Sequence, residues 1–125
     1  LHEYVLVFSK DRFDRSVKGT STITRDEFIR ATTSVWEIPP ESAKRIGHPA
    51  PFPVALVERL IHLYTFEGDV VLDPFMGSGS SAYAAKKHGR RFVGYEINRS
   101  YIEIAHERLK QVSSENSPQQ KQSVA

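Results

Sequence analysis

The stretch Val70-Val71-Leu72-Asp73-Pro74-Phe75-Met76-Gly77-Ser78-Gly79-Ser80-Ser81 decides how this chain is read. Val70 to Leu72 is a short, continuous apolar run, as expected of a strand buried on both faces of a parallel sheet. Gly77 and Gly79 follow in a tight turn, where side chains would block a ligand or strain the backbone. Ser80 or Ser81 opens a helix through Tyr83-Ala84-Ala85-Lys86-Lys87, and Gly89 stops it. Arg91 to Glu96 predicts a second strand, apolar at Phe92 and Val93 and closing on a carboxylate. Strand, glycine turn, helix and strand outline an α/β unit with a nucleotide-type cofactor site at the carboxyl edge of a parallel strand.

Charge discriminates among the cofactors such a turn can hold. A nucleoside-triphosphate loop needs a lysine before its hydroxyl residue, and here Gly79 precedes Ser80. The spacing Gly77-x-Gly79-x-x-Ala82 satisfies the dinucleotide fingerprint, and Glu96 stands where an acid would hold a ribose, so NAD is one reading. Asp73 opposes it, because a carboxylate shortly before the glycines repels a pyrophosphate. S-adenosylmethionine carries a sulfonium and an amino group and no phosphate, which reverses the sign of that objection. A turn that binds nothing is the bland alternative, and a glycine turn bracketed by two acids is more than a linker requires.

With these residues in view, the segment from Asp73 through Gly77-Ser78-Gly79 to Ser81 resembles the cofactor motif of the DNA amino-methyltransferases. These enzymes methylate exocyclic nitrogens of cytosine or adenine. Their usual motif ends Gly-Thr-Thr, whereas this chain has Ser80-Ser81 and keeps the hydroxyls. Upstream, Gly47-His48-Pro49-Ala50-Pro51-Phe52-Pro53 resembles the element before the glycine motif. Downstream, Gly94-Tyr95-Glu96-Ile97-Asn98, then Tyr101-Ile102 and Ala105, resembles the adenosine-holding segment. The likeness runs from residue 35 to residue 111 and extends back towards residue 2.

The resemblance implies a Rossmann-like methyltransferase fold, of which this chain holds part of the sheet, with S-adenosylmethionine as cofactor. It places His48, Pro49 and Phe52 at the methionine end, Phe75 against the adenosine or methionine portion, and the Gly77 to Gly79 backbone beneath the cofactor. Ser80 supplies a motif hydroxyl, Glu96 an acceptor pair for the ribose hydroxyls, and Ile97 an adenine face. Asp73 would act through the turn amides, a water or the donor's amino group. Many relatives carry a lysine where Phe52 stands, and the aromatic form resembles the cytosine-N4 branch rather than the adenine-N6 one.

The remaining chain is read around that unit. Its 125 residues carry a net charge of +2 and a pI near 9.0, which permits a nucleic-acid partner without demanding one. There is no cysteine, which excludes a disulfide scaffold, a cysteine-based zinc site and the thiol nucleophile used to methylate cytosine carbon. No stretch is long enough to span a membrane and none reads as a signal peptide. The expectation is therefore a soluble, cytoplasmic protein of prokaryotic type. His2 to Ser9 predicts a strand with both faces apolar, which by resemblance is a late strand of the catalytic subdomain (residues 1–9).

By the same resemblance, residues 10–47 are expected to form a short connecting and target-recognition region. Lys10, Arg12, Arg15, Lys18 and Arg25 are read there either as a solvated charged face or as contacts to DNA phosphates. Thr24 and Glu27 make a capping box for a short helix. Trp36, before Pro39-Pro40, is read as a packing anchor, with a stacking platform for a base as the alternative. Residues 48–112 form the cofactor-binding subdomain, with one helix after Pro53 and another capped by Ser100 and Glu103 that packs on the sheet. Residues 113–125 read as a flexible tail.

Methylating an exocyclic amine needs an acceptor for its N–H and an aromatic stack for the extruded base. The family supplies both through an Asp or Ser, two prolines and an aromatic residue, and this sequence has no such segment. The order of its motifs resembles the later part of a permuted branch of the family. The chain is expected to be incomplete and inactive by itself. Its partners would be double-stranded DNA and the catalytic half, carried by another polypeptide or by a preceding portion of the same one, with dimerisation left open. A non-catalytic nucleic-acid-binding module and an NAD-binding domain are the rival readings.

Overall fold

The computed structural model describes residues 2–15, 17–47 and 51–115. In chain order the elements are α1 (Arg25–Ala31), α2 (Ala43–Ile46), α3 (Val54–Tyr64), β1 (Val70–Asp73), α4 (Ser80–Lys87), β2 (Arg91–Gly94) and α5 (Arg99–Glu115). β1 and β2 pair in parallel, with Val70 opposite Arg91 and Asp73 opposite Gly94. Hydrogen bonds from Arg91 N to Asp69 O and from Tyr95 N to Asp73 O extend the ladder past both ends. The predicted strand–turn–helix–strand unit is therefore present.

The hub of the packing is α4, which touches α3, α5 and both strands. Its sequence explains this position. Ala82, Ala84 and Ala85 are buried and small enough to let neighbours approach from several sides. Val57 and Ile61 of α3 meet Ala84 and Ala85, and Val71 and Phe92 close over them from the sheet. Val70, Leu72 and Val93 point away from this core, at 52%, 61% and 44% exposure. The expected burial of the strands on both faces is thus not met. The helix expected to pack on the sheet, α5, lies chiefly against α4 instead, and its Ala105 and Val112 are fully buried.

Helix ends follow local chemistry. Thr24 and Glu27 form the expected capping box, with Glu27 N donating to Thr24 Oγ1 at 3.3 Å and Thr24 N to Glu27 Oε2 at 2.8 Å. Gly89 takes φ +75° after α4, as a helix-terminating glycine should. The start of α5 differs from expectation. Asn98, not Ser100, stands before the helix, and its Oδ1 accepts from Ser100 N at 3.0 Å. An Asn side chain satisfies an orphan amide as well as a serine does, at an earlier position. The same helix runs on to Glu115, past the expected start of the tail, and the rest of that tail lies outside the described residues.

The strand expected over His2–Ser9 is not formed. This segment has no ladder partner, and Tyr4, Leu6 and Phe8 are 83%, 72% and 84% exposed. Its apolar pattern suits a strand, but no neighbouring strand among the described residues completes its hydrogen bonds. Tyr64, the last residue of α3, is exposed. Trp36 is half-buried, donating from Nε1 to Ala31 O at 3.0 Å beneath the Arg59 guanidinium, 4.9 Å from its ring centre. No described helix is long and apolar enough to cross a membrane.

Candidate functional site

The carboxyl ends of β1 and β2 feed a cavity of about 390 Å³. Pro51, Phe52, Asp73, Phe75, Met76, Gly77, Ser78, Ser80, Ser81 and Glu96 line it. Two carboxylates frame it, and each is already engaged with the turn. Asp73 Oδ1 accepts from Phe75 N at 2.9 Å, and its Oδ2 accepts from Ser81 Oγ at 2.6 Å. Glu96 Oε2 accepts from Gly77 N at 2.9 Å, and its Oε1 from Asn98 N at 2.7 Å. Asp73 thus joins the Phe75 amide to the Ser81 hydroxyl.

Backbone geometry accounts for the glycines. Gly79 has φ +83°, and a Cβ there would stand 2.7 Å from Ala105 Cβ, so nothing larger fits between the turn and α5. Gly77, at φ +52°, presents its amide to Glu96. Met76 N donates to Tyr95 O at 2.9 Å, and Gly79 N to Met76 O at 2.9 Å. The turn is thereby tied to the segment after β2 at two points, by Met76 and by Gly77.

Six residues singled out from sequence, Phe52, Asp73, Phe75, Gly77, Ser80 and Glu96, line the one cavity. Gly79 lies behind its wall rather than on it. Ile97 is fully exposed and outside the lining, because the chain turns outward after Glu96. His48 and Pro49 lie outside the described residues. Ser81 was legible as a motif hydroxyl, but its bond to Asp73 was not. Arg108, whose guanidinium reaches Ser78 and Ser80 from α5, carries no local signal at all.

The basic region behaves differently. Lys10, Arg12 and Arg15 line a second concavity of about 570 Å³ together with Asp11 and Asp14. Arg12 pairs with Asp14 at 2.8 Å. Arg15 forks onto Asp69 and sits 5.2 Å from the Phe66 ring centre. The Arg15 hydrogen bond, followed by that from the Phe66 amide, holds the Asp69 carboxyl below its usual range. Lys18 and Arg25 are exposed and stand outside this concavity.

Residues 1–107 match the family model described as DNA methylase (N6_N4_Mtase). The chain belongs to the DNA methylase family. It is 43% identical over 84 residues to the type II methyltransferase M.ScaI of Streptomyces caespitosus, covering 62% of this chain and 28% of the relative. Against the type II methyltransferase M.BglI of Bacillus subtilis, identity is 36% over 108 residues, covering 86% of this chain and 30% of the relative. The crystal structure of TTHA0409 from Thermus thermophilus, a putative DNA modification methylase complexed with S-adenosyl-L-methionine, superposes with a TM-score of 0.63. Identity there is 38%, over 74% of this chain and 35% of that one. The chain thus spans roughly a third of the length of these DNA methylases.

Proposed function

We propose that this chain is the S-adenosylmethionine-binding part of a DNA methyltransferase acting on an exocyclic amine. The observation that carries this reading is the pairing of Asp73 and Glu96 across a cavity whose described lining residues include no lysine or arginine. Such a cavity suits a cationic, phosphate-free ligand and disfavours a pyrophosphate. Its volume of about 390 Å³ lies within the ordinary range for small-ligand sites. The bound relative and the family membership support the same cofactor.

When bound, S-adenosylmethionine supplies an electrophilic methyl group on a sulfonium. The chain's own residues hold and orient it. Glu96 keeps a carboxylate, fixed by Gly77 N and Asn98 N, ready to accept from ribose hydroxyls. Asp73, fixed by Phe75 N and Ser81 Oγ, faces the cavity as a counter-charge for the cofactor's cationic groups. Phe52 and Phe75 offer exposed apolar surface at its rim. Phe52 is also the residue on which preference for cytosine N4 over adenine N6 rests.

Lys10, Lys18 and Arg25 are exposed and available for duplex-DNA phosphates, whereas Arg12 and Arg15 would have to exchange Asp14 and Asp69 for them. Polypeptide beyond these residues supplies the acceptor for the target amine and covers Val70, Leu72 and Val93. A prokaryotic cytoplasm, where DNA is the substrate, is the matching compartment. Calorimetric titration of the full chain tests the reading. S-adenosylmethionine should bind and NAD should not, and Glu96→Ala should weaken binding at least about tenfold by removing a charged acceptor. Binding of NAD in place of S-adenosylmethionine would sink it.

A further inference from the structure

Arg108 lies far along the chain from the glycine turn, yet it is built into it. Its Nη1 stands 3.0 Å from Ser78 O, 3.3 Å from Ser78 Oγ and 3.3 Å from Ser80 Oγ, across 28 to 30 residues. The guanidinium also packs 5.6 Å from the Tyr83 ring centre, on the first turns of α4. Ser78 and Ser80 are each only 4% exposed, although both contribute to the cavity wall.

These contacts converge on one peptide group. The Ser78 carbonyl accepts from Arg108, and the Gly79 amide of the same peptide donates to Met76 O at 2.9 Å. With both polar ends engaged, the peptide plane has one orientation. Gly79 needs that constraint, because at φ +83° it lacks the side chain that restricts other residues. Ala105, one turn before Arg108, closes the space beside Gly79. The helix α5 therefore sets the turn twice, sterically through Ala105 and by hydrogen bonding through Arg108.

We infer that Arg108 is a positioning residue for the cofactor cavity, acting through the Ser78–Gly79 peptide and not through contact with the ligand. The inference rests on the cofactor reading proposed above. Without the guanidinium, the nearly buried Ser78 carbonyl loses a charged donor. The turn then samples orientations that do not match the ligand, and apparent affinity falls with the fraction of competent turns.

The test compares the full chain with Arg108→Met, which keeps an apolar stem over Tyr83, with Arg108→Lys, and with Lys86→Met as control. Lys86 also ties α4 to α5, donating from Nζ to Leu109 O at 3.0 Å, and neither residue lines the cavity. Binding of S-adenosylmethionine is measured by calorimetry at a temperature where circular dichroism shows every variant folded. Amide hydrogen exchange is followed at Gly79 and Ser80 without ligand. Arg108→Met should weaken binding about tenfold and speed exchange at Gly79, with partial recovery in Arg108→Lys. Lys86→Met should lower the melting temperature and leave affinity and Gly79 exchange unchanged. Equal affinity in Arg108→Met and wild type, or equal losses in Arg108→Met and Lys86→Met, would overturn the inference. If the wild-type chain bound no S-adenosylmethionine, the cofactor reading would fall, and Gly79 exchange alone would decide whether Arg108 fixes the turn.

Discussion

Residues 70–112 and residues 2–36 are held by different kinds of contact. In the first region, consecutive turn amides of Phe75, Met76 and Gly77 are each accepted within the unit, and Ala82, Ala84 and Ala85 are buried. In the second, an extended apolar segment stands exposed. Its continuation is fastened by one backbone bond, Glu67 N to Thr20 O at 3.0 Å, and by a few side chains: Arg15 to Asp69, Thr22 Oγ1 to His62 Nδ1 at 2.9 Å, and Trp36 under Arg59. A turn whose consecutive amides are held together by the Asp73 and Glu96 carboxylates and by Tyr95 O has fastenings that support one another. A segment fastened by side chains depends on each fastening and on whatever covers it.

The largest test of that contrast is Gly79→Ala. It forces a side chain into a left-handed conformation and against Ala105, so both backbone strain and overpacking oppose folding. A loss of about 2–4 kcal/mol is expected in urea unfolding. An unchanged midpoint would mean that the turn is looser than its contacts imply.

A smaller effect is expected from pH at the seam between the two regions. His62 faces Thr22, His88, Arg90, Glu58 and Glu27, and its ring lies 4.3 Å from that of His88. Burial first, then the charges of His88 and Arg90, push the His62 pKa below its ordinary value. The folded chain therefore binds fewer protons than the unfolded one below about pH 6.5, and stability falls as pH drops through that range. Glu58 is also held low. Burial raises it, but hydrogen bonds from Lys87 and His88 outweigh that, so its contribution is lost only at more acid pH. Melting temperatures compared between about pH 7.5 and about pH 5.5, either side of the ordinary histidine range, should fall more steeply for wild type than for His62→Gln. Parallel slopes would remove His62 from the account.

The smallest effect belongs to Arg15→Ala. The Arg15–Asp69 pair keeps its guanidinium half exposed, and pairs near the surface contribute little to global stability. Urea unfolding should hardly change, while limited proteolysis should cut faster among residues 10–20. Faster cutting inside residues 70–112 instead would show that the two regions are not separately held.

How much was legible in the sequence follows the same divide. The glycine unit was readable because its signals are local: an apolar run, two glycines, a hydroxyl and an acid at fixed spacing. Thr24 and Glu27 were readable for the same reason, since both halves of a capping box lie within one turn of helix. The fate of His2–Ser9 was not, because a strand needs a neighbour and alternation says nothing about whether one is present. The cover of the sheet was misread because an apolar stripe on α5 states that a face is buried, not against what. Arg108 was invisible, as its partners lie 28 to 30 residues away.

The fit between Gly79 and Ala105 has a consequence for how this sequence can drift. Gly79 is already the smallest residue, so it cannot shrink to compensate for growth at position 105. Any lineage that enlarges position 105 must slide the helix, and Arg108 rides on the next turn of that helix. A change of one or two carbons at a site with no polar atom would thus pull a guanidinium away from Ser78. Position 105 is, in effect, a steric spacer that sets how far its helix can wander without retuning the turn.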